Sequence, residues 1–206
     1  MKKAVLVSVV LLVLAGLVSA PVAAATKINF GLKAGVSFSD NSWSDDDGTE
    51  KALVRPAFGV FAVINLSPYL AIQPEVNYLT TGEWWSDFIK VVETFNYIHI
   101  PVLVKARLIK EGKIVPVVFA GPAVSFLLSA KEAGDDVKAF FRSVDFGADF
   151  GAGAELAAGN MKVIFDVRYF LGFSNAYHRP EIMLESLVTN FTMKNRALII
   201  SAGVIF

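Results

Sequence analysis

The sequence contains no cysteine. That excludes a disulfide scaffold, thiol nucleophiles and thiolate metal centres. It also lacks an excess of either charge, with 19 Lys and Arg against 19 Asp and Glu. Without a basic surplus there is no electrostatic footprint for nucleic acid, and none is expected as a partner. A glycine-rich phosphate loop, a His-Glu-x-x-His pair and a nucleophile elbow are all missing. After the first 25 residues no continuous apolar run suits a helical span. Val115 to Leu128 comes nearest, and Pro116, Gly121, Pro122 and Ser125 interrupt it.

What is present is hydrophobicity in short pieces. Apolar residues make up 54% of the 206, and 17 are Phe. The length suits one domain. At the start, Lys2 and Lys3 precede an apolar stretch from Ala4 to Val18, followed by the small-residue run Ser19 to Ala25. This is the pattern of a secretory signal peptide. Ala23 and Ala25 have the spacing a signal peptidase requires, so cleavage is expected after Ala25. The expected organisation is a signal peptide over residues 1–25 and one β-barrel domain over 26–206. The mature part then carries 17 basic against 19 acidic side chains.

The rest reads as strands. Ile28, Phe30, Leu32, Ala34, Val36 and Phe38 alternate with Asn29, Gly31, Lys33, Gly35 and Ser37, the period of two of a half-apolar strand. Further strands are expected over 55–66, 70–81, 95–109, 114–130, 143–157, 161–171 and 196–206. Those eight make an even number, which closes an antiparallel up-and-down barrel. The intervening segments alternate long and short. Ser67–Tyr69, Lys110–Lys113 and Ala158–Asn160 are the short ones. Residues 39–54, 82–93, 131–142 and 172–195 are the long ones, and a short helix fits 131–142. In membrane barrels short turns face the periplasm and long loops face outward. The fold class expected is therefore all-β, an eight-stranded antiparallel transmembrane barrel.

The alternation assigns two faces. The lipid face is Phe, Leu, Ile, Val and Ala. The lumen face collects Lys33, Glu75, Lys105, Arg107, Asp145, Asp149, Glu155, Asp166 and Arg168, with Gly31, Gly35, Gly147, Gly151 and Gly153 leaving room among them. A narrow eight-stranded barrel holds side chains or one small ligand, and buried charges must be paired. The near balance of signs favours a plugged lumen over a pore or proton path. Phe61 and Val63 turn inward if Phe58, Val60 and Ala62 face lipid, and 114–130 is apolar on both faces. Tyr69, Trp84, Trp85, Phe88, Tyr97, Tyr169 and Phe173 stand near strand ends and suit interfacial girdles. Trp43 is less easily placed.

His99 falls on the inward face beside Lys105 and Arg107, and His178 lies in the last long loop. Ser125 and Ser129 are available serines, but no spacing ties them to a histidine, so no catalytic residue is assigned. Asp45-Asp-Asp-Gly48 is only part of a calcium-loop pattern and reads as a solvated loop. No cofactor-binding or metal-binding residue is assigned.

Several segments together resemble a family of outer-membrane β-barrel domains common in Bacteroidetes and related bacteria, which includes the PorT-like proteins. They are Gly31–Phe38, Gly59–Pro68, Leu70–Tyr78, Tyr97–Lys105, Pro116–Pro122, Asp145–Glu155 and Asp166–Gly172. The family often has Glu where His99 stands before Ile-Pro. Phe206 resembles the terminal aromatic of the outer-membrane assembly signal. The resemblance implies a small barrel in the cell outer membrane with no general catalytic residues, and a role in protein secretion for the PorT-like members.

The function expected first is a non-enzymatic, monomeric outer-membrane protein that supports the envelope or binds partners through external loops. Its surroundings are the lipid bilayer with lipopolysaccharide, and an envelope or secretion protein is the expected partner. The alternatives are an assembly or secretion factor, a lipid-modifying enzyme with a Ser–His–acid set at the outer rim, and a soluble lipocalin-like barrel. The last would bury its aliphatic face and put Lys33, Asp145, Asp149 and Arg168 in water. The mature protein should need detergent and migrate differently in gels when unheated. A protein freely soluble without detergent would rule out the membrane reading.

Overall fold

The computed structural model describes residues 27–43, 51–86, 90–177 and 193–206. The strands are β1 (Ile28–Trp43), β2 (Lys51–Asn65), β3 (Leu70–Ser86), β4 (Lys90–Arg107), β5 (Ile114–Glu132), β6 (Asp135–Asp136), β7 (Val144–Ala158), β8 (Met161–Gly172) and β9 (Met193–Ile205). All but β6 form a wall in which each strand pairs antiparallel with its neighbours in sequence. Two pairings close it: β1 with β9, and β4 with β5. β6 only extends the β5 hairpin at Lys131 and Glu132, and a 3-10 turn follows over Lys138–Phe140, inside the segment expected to hold a short helix. The expected signal peptide, the Asp45–Gly48 loop, Phe88 and His178 lie outside the described residues.

The two faces follow the sequence period. Phe30, Leu32, Phe58, Val60, Val104, Phe146, Phe150, Phe165 and Val167 are exposed on the outside. Phe61 and Val63 point inward, and so do Val115, Val117 and Phe119 of β5. A wall of this kind pairs every strand internally, which is what hydrocarbon demands of a polar backbone. Outside, Phe58 stacks on Tyr78 at 5.1 Å and Phe150 lies 5.5 Å from Tyr169. Tyr69 at the turn end and Phe173 at the opposite end are exposed, as an interfacial girdle requires. Tyr97 is a correction. It is 2% exposed and faces the lumen, because it shares the parity of His99 on β4.

The strands run further than the alternation indicates, mainly at the loop end. β1 reaches Trp43, β2 begins at Lys51, β3 reaches Ser86, β4 begins at Lys90 and β9 begins at Met193. Trp84 and Trp85 therefore belong to β3, where Trp84 pairs with Val92 and Trp85 with Val91. The connection between β3 and β4 shrinks to residues 87–89, and the long–short alternation fails there. A strand of 18 residues, rising about 3.3 Å per residue and tilted about 40°, covers roughly 45 Å, against an apolar band of about 25 Å. The surplus stands outside the hydrocarbon. There the backbone ladder continues while the side chains no longer need to alternate.

Prolines and two register shifts interrupt the ladder, the first of them between Ala52 and Ala57 of β2 against β3. Pairing lapses between Phe61 and Ile64 opposite Pro74, between Pro74 and Asn77 opposite Pro101, and between Pro101 and Val104 opposite Pro122. Each proline lacks the N–H a central strand would donate. On β5 the register slips so that Asn96 faces Ser129 and Tyr97 faces Leu127. The extra residue, Leu128, reverses the inward parity and turns Ala130 into the interior.

If the outer face meets lipid at mid-height of β8, Val167→Arg should cost about 2–4 kcal/mol. Urea unfolding in phospholipid vesicles measures it, and an unchanged midpoint would contradict the placement.

Candidate functional site

All nine charged side chains expected in the lumen are buried there: Lys33, Glu75, Lys105, Arg107, Asp145, Asp149, Glu155, Asp166 and Arg168. They fall into layers along the barrel. The central layer is built on Glu75 of β3. Its carboxylate accepts from Lys33 Nζ at 2.8 Å, from Arg168 Nη1 and Nη2 at 2.7 and 2.9 Å, from Gln73 Nε2 at 2.7 Å and from Asn77 Nδ2 at 2.9 Å. Arg168 reaches it from β8 on the far side of the lumen and also donates to Asp149 Oδ2 at 3.1 Å. Both cations lie near aromatic rings, Lys33 Nζ at 5.9 Å from the Phe61 centroid and Arg168 Cζ at 5.2 Å from that of Phe119. Two cations and two carboxylates balance, so each buried charge has a partner of opposite sign.

His99 joins this layer. Its Nε2 is 3.0 Å from Asp149 Oδ2 and its Nδ1 is 2.8 Å from Ser125 Oγ. A neutral ring protonated on Nε2 donates to Asp149 and accepts the Ser125 hydroxyl, which satisfies both contacts. Ser125, His99 and Asp149 thus form the hydrogen-bonded order of a nucleophile, base and acid, which spacing along the chain does not reveal. Ser125 lies directly opposite His99 across the β4–β5 hairpin, whereas equal counting from the Lys110–Lys113 turn would put Val124 there, so only the observed register reveals the contact. The setting is unlike that of a hydrolytic triad. Ser125 is 1% exposed and His99 is fully buried, and the cavity beside His99 and Arg168 measures about 20 Å³. That is room for one water, not for an ester. Phe170 covers the imidazole edge-on at 4.8 Å.

Towards the turn end, Glu155 takes Lys105 Nζ at 3.2 Å, Arg107 Nε at 3.2 Å and Lys162 Nζ at 2.9 Å. Asp166 accepts from Ser201 Oγ at 2.8 Å. Towards the loop end, Asn195 Nδ2 bridges Tyr97 Oη at 3.1 Å and Asp145 Oδ2 at 2.8 Å, and Thr80, Asn96 and Ser129 form a chain at 2.8 Å per link. Above these polar groups sits an apolar lid. Phe95, Leu127, Ala130, Phe141 and Met193 cluster with Ala176 and Tyr177, and Phe95 meets Phe141 edge-on at 4.6 Å. The lid is held by Arg142 N–H donating to Ala176 O at 2.8 Å and Ala176 N–H to Met193 O at 2.9 Å.

Glycine has a different use from the one expected. A Cβ at Gly31, Gly147 or Gly151 would strike the rings of Phe61, Phe170 or Phe119 respectively. These glycines make room for aromatic fillers across the neighbouring strand more than for long charged side chains. Among the described residues, no group of three or more His, Asp or Glu is placed to hold a metal ion. The polar residues the sequence left unassigned are Gln73, Asn77, Ser125, Asn195 and Ser201. The inward parity of all but Asn195, which lay in an expected loop, was legible, but only contact reveals which charge each one serves.

This closed wall with an apolar exterior and a salt-bridged interior invites comparison with membrane barrels. Residues 19–178 match the family described as outer membrane protein beta-barrel domain. The chain belongs to that family. It is accordingly a transmembrane barrel of the cell outer membrane. Two solved structures are similar in fold. The crystal structure of Neisserial surface protein A is 14% identical, with a TM-score of 0.54, over 86% of this chain and 97% of that one. The outer membrane protein OprG from Pseudomonas aeruginosa is 12% identical, with a TM-score of 0.55, over 88% of this chain and 97% of that one. None of the curated proteins matches.

Removing one partner from the central layer of this outer-membrane barrel strands the others. Arg168→Met should cost about 3–5 kcal/mol, because Glu75 and Asp149 lose a buried cation. Lys162→Gln, at a partly exposed ion pair, should cost no more than about 1 kcal/mol. Unfolding midpoints in vesicles compare the two, and equal losses would show that the central layer holds nothing special.

Proposed function

We propose that this protein is a non-enzymatic outer-membrane barrel that stiffens the envelope and binds an external protein partner at its loop end. The observation that carries this reading is the filled lumen. Charge layers, aromatic fillers and an apolar lid succeed one another along the axis, and the central cavity holds about one water. A rigid plug resists deformation of the wall and offers no path for solutes. The 20 residues from 173 to 192 between β8 and β9 favour a binding role, since segments joining the elements of a rigid scaffold disproportionately carry binding residues. With short turns facing the periplasm, the rim where β8 ends at Gly172 and β9 begins at Met193 is the outer one. Cross-linking in intact cells would separate an adhesion-type partner from secretion machinery, the finer PorT-like role.

The Ser125–His99–Asp149 arrangement is the one feature that favours a lipid-modifying enzyme. Its burial supports a structural role instead. Purified protein in planar bilayers should give no stable conductance steps and should not hydrolyse phospholipid. Reproducible open-channel steps, or hydrolysis abolished by Ser125→Ala, would replace this proposal.

A further inference from the structure

The charge layers are not alike. The central one balances. The turn-end one does not, because Lys105, Arg107 and Lys162 all converge on the single carboxylate of Glu155, which is 1% exposed. Asp166 borders the same small space as Lys105. Even counting it, three cations meet two carboxylates. The surplus faces open room. Arg107 and Lys162 line a recess of about 430 Å³ at the turn end of the barrel, and Lys27 and Lys110 stand on it too. Lys110 touches only Glu111, at 3.8 Å and in solvent.

Among the described residues, no carboxylate side chain lines the recess. Phe206 closes one side, and its oxygen is already engaged by Asn29 Nδ2 at 2.8 Å. Val63, Val115 and Ile205 contribute an apolar wall, and Asn65, Ser67 and Asn160 supply neutral polar groups. The volume exceeds that of an inorganic ion and suits a small organic anion.

We propose that this recess is a binding site for a phosphate-bearing molecule. The phosphate sits between Arg107 and Lys162 with Lys27 and Lys110 around it, and the organic part lies against Val63, Val115 and Ile205. An oxyanion there accepts charge-assisted hydrogen bonds from guanidinium and ammonium groups and neutralises the cations that Glu155 cannot. The site lies at the opposite end from the loop surface, so it stands or falls independently of the partner-binding reading.

The same chemistry is offered by a soluble phosphate ester and by a phospholipid headgroup. The test titrates the isotope-labelled mature barrel in neutral detergent with phenyl phosphate and, separately, with a short-chain phosphatidylglycerol, following the amide signals of Asn160 and Lys162. Saturable shifts are expected, and the probe that binds more tightly names the source. Arg107 supports the fold, so the variant is Lys27→Gln with Lys162→Gln, which changes cations that are at least partly exposed. It should weaken binding about tenfold, as should raised salt, while Lys131→Gln near the other end leaves it unchanged. No saturable shift with either probe, or equal affinity in the double variant, would overturn the proposal.

Discussion

A hydrocarbon layer offers no partner for a backbone N–H or C=O, and everything else in this protein depends on that. The ladder must close, so β4 pairs with β5 and β1 with β9. Closure in turn fixes which side chains can be inside, because a one-residue slip would move each set to the other face. Pro74, Pro101 and Pro122 lie within one residue of the same level on adjacent strands, so their interruptions form one row across β3, β4 and β5, and the bulge at Leu128 lies nearer the loop end.

Closing eight strands leaves a lumen too narrow to stay empty and too enclosed for lone charges. The chain fills it in two ways. Aromatic rings from one strand lie over glycines of the next, as Phe61 does at Gly31. Ion pairs then join strands that never touch in the wall. Arg168 on β8 clasps Glu75 on β3, and Lys33 on β1 reaches the same carboxylate. Such ties are weak grounds for extra stability, since a well-packed apolar core of the same shape can do as well. They do specify a single arrangement of the interior, because a shifted strand would leave a buried charge alone.

The central layer also explains why a Ser–His–Asp order does not amount to an active site. Catalysis needs a reachable nucleophile and donors set around a developing oxyanion. Here the ring is pinned between Asp149 and Ser125 and covered by Phe170. The polarity is used to satisfy the lumen. Among the described charge layers of the lumen, the one with excess positive charge is at the turn end, where the barrel opens to solution.

By itself the sequence determined the two faces of the strands, the strand number and nine of the charged lumen residues from Lys33 to Arg168, but not Glu93, which β4 buries although it lies in a segment expected to be a loop. The physical reason is that a period of two is written residue by residue, and the apolar band enforces it. It also placed Phe61, Val63 and His99 inward. It was silent on strand length above the membrane, where Trp84 and Trp85 extend β3 without alternating. Tyr97 stands near a strand end but shares the parity of His99, and parity rather than position along the strand decides that it faces inward. What only the tertiary structure decided was pairing across the lumen. Glu75 and Arg168 are 93 residues apart, and no local pattern says that they meet. Their contact follows from barrel closure and stagger, which bring distant strands face to face over a few ångströms of shared interior.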